Sequence, residues 1–390
     1  MSDTNRVGLR YIKETVAGTT PTGEFAVLPF TGSSDLGFTP ETTTSSIVRS
    51  DRQVSDLVLV NGTVGGGFDT ELIAGTALDS MLDGVMFTNT PLGGQTATVI
   101  VSAGSVTVTD VAGGTDLDAT GIGSGVAVGD IVKVEVGSET AIAAVVGRDV
   151  DTNSISISCA MAATGSVTAT VTKLPSISNG STQSSYTMER TYRTNEAEEF
   201  NEYLRGMVPG TFSMSAAASS IVEASFGFTG QTQAFETEKT GMTRPAAPAF
   251  SVYNAASNVA TIAIGGEAMG DNFVMEASIE IENNLRERNA LGTLGAISVG
   301  AGEFSVTGSL NTYFNSSDLI QKVIDNSETS LTLSFSSGTE SITFFMPRVK
   351  FSEGTPDVSG KNEDVMASIS FQAILDTTTG YTLAIAKNVA

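Results

Sequence analysis

The feature that most constrains this chain is an ordered set of motifs that occurs twice. Val64-Gly65-Gly66-Gly67-Phe68 is similar to Val299-Gly300-Ala301-Gly302-Glu303-Phe304, and each run leads through alternating residues into a short helical pattern. The first helix is expected over Thr76–Met86, with Thr76 as N-cap, Asp79 three residues on, and Leu78, Met81, Leu82 and Val85 as one apolar stripe. The second is expected over Ser316–Asn326, capped by Ser316 or Ser317, with Leu319, Ile320, Val323 and Ile324 as the stripe. Further on, Arg205–Gln231 is similar to Phe345–Ala373: a Met and a Pro precede a strand, a loop follows, and an alternating strand closes the unit. The shared order points to a duplicated β-rich unit. It also decides an ambiguity: Glu199–Val208 could start a helix, but its counterpart Ser341–Val349 is strand-like. A strand is therefore expected there, after an acidic turn at Thr194–Glu198.

The two copies differ in spacing. The second helix runs almost at once into a hairpin, whereas a long segment separates Met86 from Tyr186. That segment holds six strand candidates: Thr96–Ser102, Ser105–Asp110, Ile131–Val136, Thr140–Val146, Ser154–Ala160 and Val167–Lys173. The expectation is a mainly β chain of two duplicated sandwich domains, each with a flanking short helix, plus a small inserted β-barrel or sandwich. The boundaries read as 1–91 with 176–240 for the first domain, 92–175 for the insert, 241–258 for a linker and 259–390 for the second domain. With 41 glycines against 10 prolines and many Val, Ile, Thr and Ser residues, short strands joined by turns are the natural reading.

Composition excludes much chemistry. The chain has no histidine, which removes Ser-His-Asp triads, Cys-His pairs, His-ligated zinc and His general bases together. Its one cysteine, Cys159, precludes an intrachain disulfide and reads as a buried thiol. The glycine runs lack the Lys-Ser/Thr of a phosphate-binding loop and are not set in a βαβ unit, so a bulge or tight turn is expected. Asp116-Leu117-Asp118 could bind calcium but lacks a spaced ligand series, so a turn is the default. Glu198-Glu199 could serve as paired carboxylates, but they lie in an acidic stretch of a chain without tryptophan. No catalytic, cofactor-binding or metal-ligating residue is expected. The opening MSDTNRVGLR lacks the apolar core of a signal peptide, and no apolar run has the length of a membrane helix. With 43 acids against 20 bases, the formal charge of −23 argues against a protein that grips nucleic acid.

Several stretches resemble the major tail tube proteins of long-tailed, siphovirus-like bacteriophages. These are Leu9–Thr15 with Ala17–Pro21, Ser45–Leu57 around Arg49-Ser50-Asp51-Arg52-Gln53, Asn283–Arg286, Pro347–Lys350 and Lys361–Met366. The insert, around Val128–Val134, resembles the extra β domain that some members carry. The resemblance implies a structural subunit, not an enzyme, whose β-sandwiches join around a ring into a continuous barrel. Stacked rings then conduct the genome during ejection. Two such domains per chain imply a homotrimeric ring with pseudo-sixfold symmetry. Implied partners are further copies of the chain, the tape measure, terminator and tail tip proteins, and DNA in transit. No cofactor and no membrane partner are implied. The expected location is the virion tail, assembled in the host cytoplasm.

Asp69, Glu71, Glu280, Glu282 and Glu303 are the candidate lumen acids, which would repel passing phosphates. Arg49, Asp51 and Arg52 are candidate subunit-interface residues, paired between subunits or within a loop. Other readings stay open at this stage: a cell-surface adhesin-like sandwich array, a decoration or terminator protein, and a tail-associated glycosidase.

Overall fold

The computed structural model describes residues 6–388 except 33, 102–104, 112–113, 120, 123–124, 160, 162, 194–198, 237–241, 266, 269–272, 339, 359 and 362. The expected acidic turn at Thr194–Glu198 lies outside the described residues. The chain opens with β1 (Gly8–Lys13), β2 (Gly37–Thr44), β3 (Leu57–Glu71) and α1 (Asp79–Val85). Then come β4 (Thr98–Val101), β5 (Ser105–Val111), β6 (Gly114–Asp118), β7 (Ile131–Val136), β8 (Glu139–Asp149), β9 (Ser154–Ile157) and β10 (Gly165–Lys173). The first repeat resumes with β11 (Tyr186–Arg193), β12 (Glu199–Ala217), β13 (Glu223–Gly230) and β14 (Thr232–Glu236). The second repeat is β15 (Val259–Ile264), β16 (Val274–Glu282), β17 (Ser305–Tyr313), α2 (Asp318–Ile324), β18 (Glu328–Ser337), β19 (Glu340–Asp357), β20 (Met366–Ala373) and β21 (Ala384–Asn388).

Strand pairing repeats along with the motifs. In the first repeat β2, β3, β13 and β12 pair in that order; in the second, β16, β17, β20 and β19 do the same. Each set ends on a long strand that belongs to two sheets. The N-terminal half of β12 pairs with β11 and β14, and that of β19 with β18 and β21. A bulge marks each crossing, between Pro209 and Thr211 and between Phe351 and Glu353. A bulge adds a residue to one side of a ladder and sharpens the local twist, which lets one strand turn from sheet to sheet.

These registers correct the first motif match. Gly66 stands opposite Phe228 as Gly308 stands opposite Phe371, so Val64–Phe68 superposes on Val306–Leu310, not on Val299–Phe304. The two glycines at this level have a steric cause. Gly66 has φ +107°, and a Cβ there would lie 2.5 Å from the Asp35 carbonyl oxygen; at Gly308 it would lie 2.2 Å from that of Ser278. Gly65–Gly67 therefore sits inside a strand and forms no turn. The second match holds to within two residues, since Thr211 stands where Glu353 does and Thr229 where Gln372 does.

Both helices are shorter than expected, and the first lacks its expected cap. Leu78 and Ser317 occupy the N-cap positions, neither with a side-chain capping bond, and the Asp79 N–H donates to the Thr76 carbonyl at 3.2 Å. A backbone turn thus starts the first seven-residue helix, where the sequence suggested a capping box, while at the second the hydroxyl of Ser316, one of the two expected caps, accepts the Asp318 N–H at 3.4 Å.

Residues 98–173 form a separate sheet. Strands β7, β8, β9, β6, β5 and β10 pair successively, and β10 returns to β7, closing a six-stranded barrel with β4 appended to the end of β10. Val106, Val108, Leu117, Val134, Ile155 and Val171 fill its core. Closure leaves no unpaired edge around the ring of strands. The expected turn at Asp116-Leu117-Asp118 is instead strand β6, with Leu117 inward and the Asp116 carboxylate accepting from the Ser156 hydroxyl. Cys159 is buried in this core, and burial pushes its thiol up to about 11. The barrel rests on the second repeat: alternation along β19 turns Phe344 into the sandwich and Phe345 toward Ile131, Ile142 and Ala144 of the barrel.

The two repeats share one core. Phe212 on β12 lies 5.0 Å from Phe226 of its own repeat and 6.1 Å, stacked, from Phe344 of the other. The C-terminal half of β12 also pairs with β16, from Thr211 opposite Glu282 to Ala217 opposite Glu276. That junction fuses the two four-stranded sets into one eight-stranded sheet, in the order β2-β3-β13-β12-β16-β17-β20-β19.

Candidate functional site

One face of this eight-stranded sheet packs on the shared core and the other meets solvent. The alternation is nearly perfect: Phe212, Met214, Ala224, Phe226, Ile279, Ile281, Leu310, Ile369 and Phe371 point inward. Their strand neighbours point out, and these are small or acidic. Beyond the two bulges the outward positions are Thr211, Ser213 and Ser215 on β12, Glu223, Ser225 and Gly227 on β13, and Gly67, Asp69 and Glu71 on β3. They continue with Glu276, Ser278, Glu280 and Glu282 on β16, Thr307, Ser309 and Asn311 on β17, Ser368, Ser370 and Gln372 on β20, and Glu353, Thr355 and Asp357 on β19. None of these outward residues is Lys or Arg.

The face is broadly concave. A depression of about 950 Å³ is lined by Asp69, Glu71, Glu223 and Glu280 among serines and threonines, and an adjoining one of about 550 Å³ by Asp35, Asp69 and Glu282. Glu71 stands directly opposite Glu223 in the ladder. Like charges in that position cost stability, so folding alone does not favour this pair. Small hydroxyl side chains between the acids leave the surface smooth, without a bulky or cationic group to hold a ligand.

Four of the five acids singled out in the sequence, Asp69, Glu71, Glu280 and Glu282, come together on this face. Glu303 does not: it is exposed at the rim, where its carbonyl accepts from the Asn284 side chain at 3.0 Å. Glu223, Glu276, Glu353 and Asp357 were missed. The signal for Glu223 and Glu276 was available in the period-two alternation of EASFGFTG and EASIEIE, where serine marks the same face as the acids.

Arg49, Asp51 and Arg52 lie apart, in the loop of a hairpin that β2 and β3 extend past the sheet. Arg49 donates to both Asp51 oxygens, at 2.9 and 2.6 Å, and this contact holds the Asp51 carboxyl below its usual range. The pair lies within one loop, and both side chains are exposed. Arg52 takes a left-handed backbone, φ 60°, with its N–H on the Arg49 carbonyl.

Elsewhere, buried charges form pairs. Glu189 is held by Arg244 at 2.7 and 2.5 Å, and Glu202 by Arg190 and the Tyr192 hydroxyl at 2.8 Å each. Lys387 on β21 pairs with Asp79 on α1, joining the ends of the two repeats. Such pairs fix strands. Among the described residues no group of three or more acidic or cysteine side chains could hold a metal, and no helix is long and apolar enough to cross a membrane.

No curated protein matches the chain. A family model described as phage tail tube protein matches residues 4–373, nearly the whole length. A duplicated sandwich with a fused eight-stranded sheet is what that match spans, and the chain belongs to the phage tail tube protein family, a family of structural virion components.

Proposed function

We propose that three copies of this chain close into a ring of six repeats, and that the exposed face of the eight-stranded sheet lines its bore. In this reading residues 1–91 with 176–240 form one tube domain, 259–390 form the other, 241–258 link them, and 92–175 are an insert carried on the outside. The observation that carries it is the junction inside the chain. There the free edge of one repeat, on β12, already takes β16 of the next as its partner. Among the described residues the equivalent edge of β19, Glu353–Asp357, has no partner opposite β20, and β2 has none opposite β3. Repeating the internal junction between chains sets Glu353 against Thr39 and Thr355 against Gly37. About 24 strands, spaced ~4.8 Å apart, enclose a barrel roughly 37 Å across before strand tilt, wide enough for a duplex. Ring closure also removes both open edges.

The Ser, Thr and acid surface then faces the DNA. Carboxylates repel phosphates, and without Lys or Arg there is no counterion release to reward binding, so the genome slides. Tape measure, terminator and tail tip proteins complete the tail, which is assembled in the host cytoplasm. Arg49, Asp51 and Arg52 sit on a hairpin that reaches the neighbouring subunit.

Oxidative cross-linking of a Thr39→Cys, Glu353→Cys variant tests the ring, with negative-stain microscopy of the same sample. The expected product is a covalent ladder that stops at three chains, in particles showing rings or tubes. A ladder that stops at two, or monomers under assembly conditions, would overturn it.

A further inference from the structure

The internal junction holds more than a strand pair. Past Glu282 the chain runs out in a hairpin whose arms, Arg286–Arg288 and Ser298–Gly300, pair with each other. The base of that hairpin folds back on the first repeat: Val299 is buried with Phe87 and Val208, and Leu285 and Ala301 pack on them. Asn283 donates to the Val85 carbonyl at 2.8 Å, and Gln183 to the Val299 carbonyl at 3.2 Å. The first repeat has the matching hairpin, with the same one-residue register shift, so Thr42 corresponds to Leu285, Leu57 to Val299 and Leu59 to Ala301. Within its own chain this hairpin rests on nothing comparable. Leu57 is 62% exposed where Val299 is 6%.

The surface that should receive it is bare as well. By the same correspondence Ile324 stands for Val85, Asn326 for Phe87 and Lys350 for Val208. Asn326 and Phe87 share a left-handed backbone, φ 48° and 49°, which supports the equivalence of the two helix ends. Phe87 is buried under the hairpin where Asn326 is exposed, and Ile324 beside it is 70% exposed.

Resting on the ring reading above, we infer that the hairpin at residues 42–59 docks on a second copy of this chain. Leu57 and Leu59 cover Ile324 at the end of α2 and the aliphatic stem of Lys350. Each chain thus contributes one hairpin to itself and lends the other to its neighbour. Exposed apolar groups on both surfaces, and the internal copy of the same contact, single out the chain itself as the occupant.

Leu57→Cys and Ile324→Cys chains, each also carrying Cys159→Ala, test this when mixed, assembled and treated with a short bismaleimide. The expected result is a band of two chains in the assembled mixture that neither variant gives alone. An Ile324→Glu chain, altered at an already exposed position, should keep its Tm and lose at least tenfold in tube yield. Rings or tubes without the mixed cross-link, or Ile324→Glu tubes at wild-type yield, would overturn the docking and leave the ring standing. Absence of both rings and cross-link would overturn the two together.

Discussion

Asp83 shows how a single residue couples this fold to pH. It is 6% exposed, its carboxylate accepts the Leu92 N–H at 2.9 Å, and Asp79 lies nearby. Burial first, and then the Asp79 charge, push its carboxyl up to about 6 against the lowering by the Leu92 bond. The folded state therefore binds a proton more readily than the unfolded chain. The resulting stability is complete below about pH 4 and is lost as pH rises through about 6. Asp83→Asn keeps an acceptor for Leu92 and removes the charge. It should stabilise the protein by about 2 kcal/mol at pH 7.5 and by almost nothing at pH 4, read as Tm across that range. Asp79→Asn should do the reverse: it strands the ammonium of Lys387, which is 2% exposed, at a cost of about 3–5 kcal/mol at neutral pH, seen in denaturant unfolding. Neither residue was legible as special in the sequence. Asp79 looked like a capping-box acid, because a helix-start pattern and a buried ion pair to a residue 308 positions away look alike in one dimension.

At the level of elements, alternation carried most of the fold. Five of the six strands that close the barrel, and the second motif match, were readable because period two survives wherever one face is buried, whereas the strand at Glu199–Val208 was readable only through its counterpart in the other repeat. What was not readable follows from the bulges. A bulge resets the inward face by one residue, so β12 and β19 each serve two sheets, and no local pattern announces the change. The glycine match failed for a related reason: glycine is required at Gly66 and Gly308 by close backbone neighbours, while Gly300 and Gly302 belong to a hairpin base. Phe212 is the side chain on which the two repeats meet. Phe212→Ala should cost about 3–5 kcal/mol. Because its ring contacts both halves, hydrogen exchange should quicken in β13 and in β19 together. Protection lost only in β13 would show that the second repeat stands without the shared contact.

For the whole molecule, the net charge of −23 takes on direction once the sheet is fused. Acids on the outward positions of β3, β13, β16 and β19 collect on one surface, while cations such as Arg190 and Arg244 are used in buried pairs behind it. On the proposed ring this separation would favour passage of a polyanion and oppose assembly, since closure would set neighbouring acidic edges within a Debye length, ~10 Å at 0.1 M salt. Wild-type tubes should therefore form more readily as ionic strength rises from low values, and should not retain short duplex DNA at any salt. Glu280→Lys with Glu282→Lys alters two exposed positions and no core contact. Tubes of that variant should bind duplex DNA in co-sedimentation, with an affinity that falls steeply as salt increases, because each added cation contributes counterion release. Lysine tubes that stay free of DNA at low salt would mean that this face does not line the bore. The face would then be covered between subunits, since lysines on a solvated outer surface would bind duplex by the same counterion release.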